Sequence, residues 1–176
     1  MSWKSSLQTD RLTLRHLTLD DAGLMLAIWN DPAFVRHVGD RGIRTAAEAQ
    51  EAMRQGVLRL YEEHGYGPYR VALQETDQPI GICGLFRRDC FDVPDIGYST
   101  LPEFCGHGYA YEAGCAVIAN AAAGLGLERL IAIISPGNEA SIGLIRKLGF
   151  DFERMYRMPG DDDDVAIYGK YLNNNG

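Results

Sequence analysis

The sequence lacks any long apolar run. Nothing in it approaches the ~18 consecutive apolar residues of a membrane span. Its opening, MSWKSSLQTDRLTLR, is polar and mixed in charge, without the apolar centre of a signal peptide. The expectation is a cytoplasmic protein with no membrane partner. Excess basic charge is also missing. The chain has 24 acidic and 17 basic side chains and a formal net charge of −7. That argues against a phosphate-neutralising surface, and so against nucleic acid as a partner. It suits instead a cationic partner or an amine substrate. Metal-ligand spacing is absent too. Cys83, Cys90, Cys105 and Cys115 are separated by 7, 15 and 10 residues and form no C-x-x-C pair, and His16, His37, His64 and His107 are scattered. No metal is expected, and the cysteines read as free thiols. There is no Gly-Lys-Ser/Thr for a phosphate-binding P-loop, and a dinucleotide fingerprint fails where Tyr111 replaces its third glycine. No internal repeat and no linker interrupts the chain.

What is present fits one globular domain over residues 1–176, long enough to bury a core. Hydrophobic residues make up 46% and charged residues 23%, too apolar for a disordered tail. Residues 7–16 read as a strand on the alternation of Leu12 and Leu14. Thr18 with Asp21 opens a helix that Asn30-Asp31-Pro32 stops. Thr45 with Glu48 opens another, with Ala49, Met53, Val57, Leu60 and Tyr61 at helical spacing and an end near Gly65. PYRVALQE and QPIGICGLFRR form a hairpin around Thr76-Asp77-Gln78-Pro79, and DIGYSTL is a further strand. Residues 109–125 make a long alanine-rich helix, RLIAIIS a buried strand, and Asn138 caps a helix that ends at Gly149. Two closing strands flank a solvated acidic loop, Pro159 to Asp164. The order β-α-α-β-β-β-α-β-α-β-β predicts the α/β class: one open mixed sheet with helices on its faces.

The chemistry concentrates between Asp95 and Phe150. Cys105-Gly106-His107-Gly108-Tyr109-Ala110 lies between a strand and a helix. Gly106 and Gly108 let backbone approach a ligand without a Cβ in the way. The helix that follows leaves its first N–H groups unpaired and aimed into the loop. Those donors and the helix dipole make an anion site into which a diphosphate fits, worth roughly 0.3–1 kcal/mol per charge. The alternative for a G-x-G by itself is a tight strand–helix connection.

The wider pattern resembles the GNAT superfamily of acyl-CoA N-acyltransferases, whose hallmark is Q/R-x-x-G-x-G/A between a strand and the next helix. Gly108 and Ala110 match it. The chain is most similar to the branch that includes the ribosomal-protein N-terminal acetyltransferases. That branch reads acidic-I-G-Y, then P-E-Y-W-G-x-G-Y-A-x-E-A, against DIGYSTLPEFCGHGYAYEAG here. Its downstream N-x-x-S-x-x-L-x-x-K-L-G-F is met from Asn138 to Phe150 at every named position. WNDPAFVRHVG and PIGICGL extend the likeness, which spans roughly residues 7–155. Two departures stand out. Cys105 replaces the family's Gln or Arg (Trp in the branch), and Ile145 stands where the family often has a tyrosine acid.

The resemblance implies a mostly antiparallel sheet with a splayed strand pair, and acetyl-CoA as co-substrate. Backbone of Gly106, His107, Gly108, Tyr109 and Ala110 would cradle the diphosphate. Ser99, Thr100 and Leu101 would pair with the pantetheine amides, and an N–H near Ser99 would face the thioester oxygen. Asn138 and Ser141 would also reach the cofactor. For an acetyl acceptor the resemblance points to a primary amine. At pH 7, freeing a peptide α-amine of its proton costs roughly 1 kcal/mol against about 4.6 for a lysine, so an α-amine needs only a modest base. Asp95 is the candidate base and Ser141 the candidate acid for the leaving thiolate. Trp29 and Phe34, and also Tyr66 and Tyr69, are candidates for the acceptor pocket, although each reads first as core. A cysteine acyl-enzyme on Cys105 is disfavoured, because no histidine is placed to activate it. The expected protein is a direct-transfer N-acetyltransferase, monomer or homodimer. The alternatives are a catalytically silent acyl-CoA-binding sensor or assembly module, and a nucleotide-binding protein.

Overall fold

The computed structural model describes residues 2–172, and residues 1 and 173–176 fall outside that range. The expected first strand is a hairpin, β1 (Ser6–Gln8) and β2 (Leu12–His16). Thr9 turns the chain: its N–H donates to the Leu12 carbonyl at 2.9 Å, and its Oγ1 accepts from the Leu12 N–H at 3.0 Å. A side chain that bonds its own backbone competes with strand pairing, and the alternation of Leu12 and Leu14 gives no sign of it.

The Thr18–Asp21 capping box is present and opens one 3-10 turn before α1 (Ala22–Trp29). Pro32 does more than stop that helix. It starts α2 (Pro32–His37), because proline at a first helical position forgoes only an N–H that would be unpaired anyway. The Thr45–Glu48 capping box opens α3 (Ala46–Gln55), but Gly56 breaks the expected long helix, and α4 (Val57–His64) follows. Ala49, Met53 and Val57 stay buried on one face across that break, so the spacing was right although the helix is not continuous.

The remaining elements are β3 (Pro68–Leu73), β4 (Pro79–Phe86), β5 (Asp95–Thr100), α5 (Tyr109–Leu125), β6 (Arg129–Ile134), α6 (Glu139–Lys147), β7 (Asp151–Arg157) and β8 (Asp164–Tyr171). α5 has its expected bounds, and Gly149, past the end of α6, takes a left-handed φ of +88°. All eight strands form one open sheet in the order β1-β2-β3-β4-β5-β6-β8-β7. Every neighbouring pair is antiparallel except β5 and β6, which run parallel.

The main core gathers β2, β3 and β4 with Ala113, Val117 and Ala121 of α5, Ile145 of α6 and Leu148 just past its end. A second core joins Met25, Ile28 and Trp29 of α1 to Ala49 and Met53 of α3. Helices thereby cover both faces of the central strands, while the edge strand β7 is exposed and leaves Phe152 and Met155 open to water. All four cysteines are free thiols. Among the described residues no helix is long and apolar enough to cross a membrane, and no group of three or more His, Cys, Asp or Glu is placed to hold a metal ion.

Candidate active site

The parallel pair is a fork. β5 and β6 are in register only at Asp95 and Ile131, and beyond that point they diverge. The burial of β5 records the opening: Asp95 and Ile96 are buried, whereas Gly97 through Thr100 are half-buried although the strand is central in the sheet. On its other edge β5 is fully paired to β4, from Asp95 opposite Phe86 to Thr100 opposite Gly81. Successive residues of a strand aim their backbone groups to opposite sides. The Pro94 carbonyl accepts from Ile131 on the β6 side, and the Leu101 N–H donates to Ile80 on the β4 side at 2.8 Å. By alternation, the backbone of Ile96, Tyr98 and Thr100 faces the fork, and that of Ser99 faces β4. This corrects the expectation for Leu101 and narrows the donor near Ser99 to its neighbours. The Leu101 N–H is already engaged, and the fork-facing donors are Tyr98 and Thr100. Leu101 itself packs against the second core.

At the open end of the fork sits the glycine loop. Gly106 and Gly108 have φ of +80° and +79°, the left-handed region, and a Cβ at Gly106 would meet nothing within 4 Å. Gly108 caps α5 without any side-chain hydrogen bond, so the first N–H groups of the helix are uncommitted. His107 and Cys105 are exposed, and Tyr109 and Ala110 half-buried. The loop has a tether that the sequence did not disclose. Arg11 Nη1 donates to the His107 carbonyl at 2.9 Å, and its guanidinium lies 4.5 Å from the Tyr109 ring centre. Glu112, in the first turn of α5, accepts from Thr9 Oγ1 at 2.6 Å, the Arg11 N–H at 2.8 Å and Arg11 Nε at 2.7 Å. Burial opposes the Glu112 charge, but those bonds outweigh it and hold its carboxyl below the usual range. The β1–β2 turn therefore clamps the start of α5 and brings a cation to the loop.

At the closed end lies Asp95, 3% exposed. Burial raises its pKa, against the opposing charge of Arg88, whose Nε lies 3.3 Å from Oδ1. Across the fork, α6 begins at Asn138, whose Oδ1 accepts from the Ser141 N–H at 3.2 Å, the expected cap. Ser141 Oγ donates to Tyr98 Oη at 3.1 Å, and Tyr98 Oη donates to the Ser141 carbonyl at 3.0 Å. Burial pushes the Tyr98 phenol up to about 12, so it stays protonated at neutral pH. Tyr98 was missed as a site residue because a strand tyrosine usually reads as packing. Ile145, in the place of the family's tyrosine, is wholly buried in the core. Burial, with Asp31 and Glu103 nearby, raises the Cys105 thiol, which disfavours a thiolate nucleophile there.

One groove of about 1210 Å³ runs the length of the fork. It is lined by Asp95, Tyr98, Ser99, Thr100, Gly106, Gly108, Tyr109, Ala110, Asn138 and Ser141, and continues to Trp29 and Phe34. That exceeds a typical small-ligand site of roughly 300–1,000 Å³ and suits a long co-substrate with an acceptor beside it. His107 and Leu101 do not line it. Trp29 is both core and wall: it is 3% exposed, within the second core. Tyr66 and Tyr69 belong to the main core, where Tyr69 Oη accepts from Asn120 Nδ2 at 2.9 Å.

Comparison with known proteins gives the family. The profile of the acetyltransferase (GNAT) domain matches residues 11–151, and the chain belongs to that family. It is an N-acetyltransferase. A relative from Bacillus licheniformis, the uncharacterized N-acetyltransferase p20, is 31% identical over 153 residues, covering 86% of this chain and 85% of its own. Among solved structures, an acetyltransferase from Agrobacterium tumefaciens superposes with a TM-score of 0.79 at 25% identity, covering 94% of this chain and 93% of its own. RimL, a ribosomal-protein α-N-acetyltransferase solved with coenzyme A, has the same fold: TM-score 0.79, 18% identity, 95% of this chain and 97% of its own.

Proposed function

We propose that the protein transfers an acetyl group from acetyl-CoA directly to a primary amine, a peptide N-terminus or a small amine, in a ternary complex. The observation that carries this reading is the fork itself, with uncommitted helix N–H groups and Arg11 at its mouth and a buried carboxylate at its vertex. Acetyl-CoA supplies an activated acyl carbonyl and a thiolate leaving group. The diphosphate is held by backbone N–H groups from Gly106 to Ala110, with the Arg11 charge behind them. The pantetheine amides pair with the fork-facing backbone of Tyr98 and Thr100, and one of those N–H groups stabilises negative charge at the acetyl oxygen.

Asp95 takes the proton of the attacking amine, directly or through a water. Its raised pKa matches a base better to the proton it accepts than an ordinary surface aspartate would. Ser141 Oγ hydrogen-bonds the departing sulfur and relays to it a proton that solvent returns to the hydroxyl. Tyr98 fixes the Ser141 rotamer, and its phenol stands in the site from which Ile145 removes the family's tyrosine. The reaction belongs in the cytoplasm, where acetyl-CoA and nascent N-termini meet.

The test is thiol release from acetyl-CoA with a panel of N-terminal peptides and small amines. Release that depends on the amine, with the acetyl found on the amine nitrogen, is expected. Binding of acetyl-CoA without turnover on any amine would leave a silent acyl-CoA-binding module instead.

A further inference from the structure

The glycine-loop end of the groove carries a cation that the transfer chemistry does not use. Asn138, Ser141, Leu144 and Lys147 succeed one another at every third position from the cap of α6 to its end, and all four line the groove. Lys147 stands about 9 Å beyond Ser141 along the helix axis. It reaches over the first turn of α5, where its Nζ lies 4.3 Å from the centre of the Tyr111 ring. The two helices meet closely there. A Cβ on Gly114, next along α5 from Ala113, would come within 2.8 Å of Leu148 Cδ1. The bare glycine lets Leu148 seat beside it, and that sets the neighbouring Lys147 above Tyr111.

Among the described residues Lys147 forms no ion pair. Of the described groove-lining residues supplied by the glycine loop, α5 and α6, it alone is charged. Of the carboxylates in this region, Glu112 is held by Arg11 and Thr9, Asp31 and Glu103 act on Cys105, and Glu139 lies two turns back along α6. Arg11 is the other cation near the loop, and it rests on Tyr109. Tyr109 and Tyr111 are separated by about 200° around α5. The start of that helix is therefore flanked by a cation on each side.

We infer that Lys147 recognises the 3′-phosphate of the CoA ribose. This deepens the reading of acetyl-CoA as co-substrate and rests on it. CoA carries its negative charge on the diphosphate and on that 3′-phosphate. The glycine loop and Arg11 take the first. The second is a compact terminal phosphate, which an ammonium on a long stem binds as a point charge. The cation–π contact with Tyr111 restrains the side chain before the ligand arrives, which lowers the entropy lost on binding.

The experiment is calorimetric binding of CoA and of 3′-dephospho-CoA, which differ only in that phosphate. The parent should bind CoA about threefold to tenfold more tightly, the span for one charged contact at an exposed site, and the ratio should fall as salt is added. Lys147→Gln should bring the ratio close to unity by weakening CoA alone, and Lys147→Arg should keep most of it. Lys147 is exposed, so both variants are expected to fold. Arg11→Gln should weaken both ligands together and leave the ratio in place. Equal affinities in the parent, a ratio that survives Lys147→Gln, or equal weakening of both ligands by that change would overturn the inference. Equal affinities leave the acetyl-CoA reading standing, whereas binding of neither ligand would sink that reading and the inference with it.

Discussion

At the scale of single residues, Asp95 carries the sharpest consequence. Asp95→Asn should lower kcat by about 10²–10⁴, the usual span for loss of a general base, with acetyl-CoA affinity nearly intact. Steady-state kinetics with saturating acetyl-CoA check it, and a variant within about threefold of the parent would assign the proton to another group or to solvent. A second readout needs no substrate. Burial raises the Asp95 pKa above its ordinary 3.8, so the folded chain holds that proton more tightly than the unfolded one. Stability from this group is complete below the unfolded pKa and is lost as pH rises through the folded one. Asp95→Asn should therefore melt higher than the parent at neutral pH and converge with it in acid. The Arg88 partner left behind is 45% exposed, so its lost ion pair offsets little. Tyr98→Phe removes both bonds to Ser141, and a kcat loss of roughly fivefold to tenfold is expected from one hydrogen bond's worth of positioning. Its KM for acetyl-CoA should not move, and an unchanged kcat would remove Tyr98 from the mechanism.

At the scale of elements, the glycine loop and the turn that clamps it act as one device. Gly108→Ala and Gly108→Asp impose similar left-handed strain on the backbone, but only aspartate sets a carboxylate against the diphosphate. Acetyl-CoA at 100 times its Kd should raise stability by ~2.7 kcal/mol in the parent. In thermal-shift titrations that gain should shrink in Gly108→Ala and vanish in Gly108→Asp, and unchanged affinity in a folded Gly108→Asp protein would contradict the assignment of the loop. The loop was legible beforehand because glycines, a helix start and a downstream serine–leucine–glycine pattern agree within one stretch of chain. Its clamp was not. Arg11 and Glu112 are about 100 residues apart in sequence, and nothing local marks their pairing. The same distinction explains the helices. Both capping boxes were visible because each has one reading, whereas Pro32 can stop a helix or start one and Gly56 can sit within a helix or break it, and the residues alone do not choose. The fork was implied by the family resemblance, but the side to which each amide points required the register of β4 against β5, which is why Thr100 stays as a donor, Tyr98 joins it and Leu101 drops out.

At the scale of the whole molecule, net charge says little about the site. The chain's −7 is distributed over exposed carboxylates such as those of residues 161–164, and their field decays over ~8 Å at physiological ionic strength. The groove is lined by charges of both signs, Arg41, Arg59, Arg87 and Arg88 beside Asp31, Asp40, Glu63, Asp89 and Asp95. The bulk sign of charge is therefore a guide to solubility more than to substrate. Amine chemistry remains the larger discriminator. A peptide α-amine should outpace a lysine side chain in a matched peptide at pH 7, because its deprotonation costs roughly 3–4 kcal/mol less. kcat/KM should rise with pH up to the amine's pKa and then level off.

The central claim is direct transfer to an amine within one complex. It is tested by intact-mass measurement on the protein mixed with acetyl-CoA, first alone and then with an α-amine acceptor. Direct transfer gives no mass gain on the protein in the first mixture and, in the second, an acceptor heavier by one acetyl group with free CoA released in equal amount. An acetyl group found on the protein at Cys105 before any amine is added, and passed on afterwards, would contradict it.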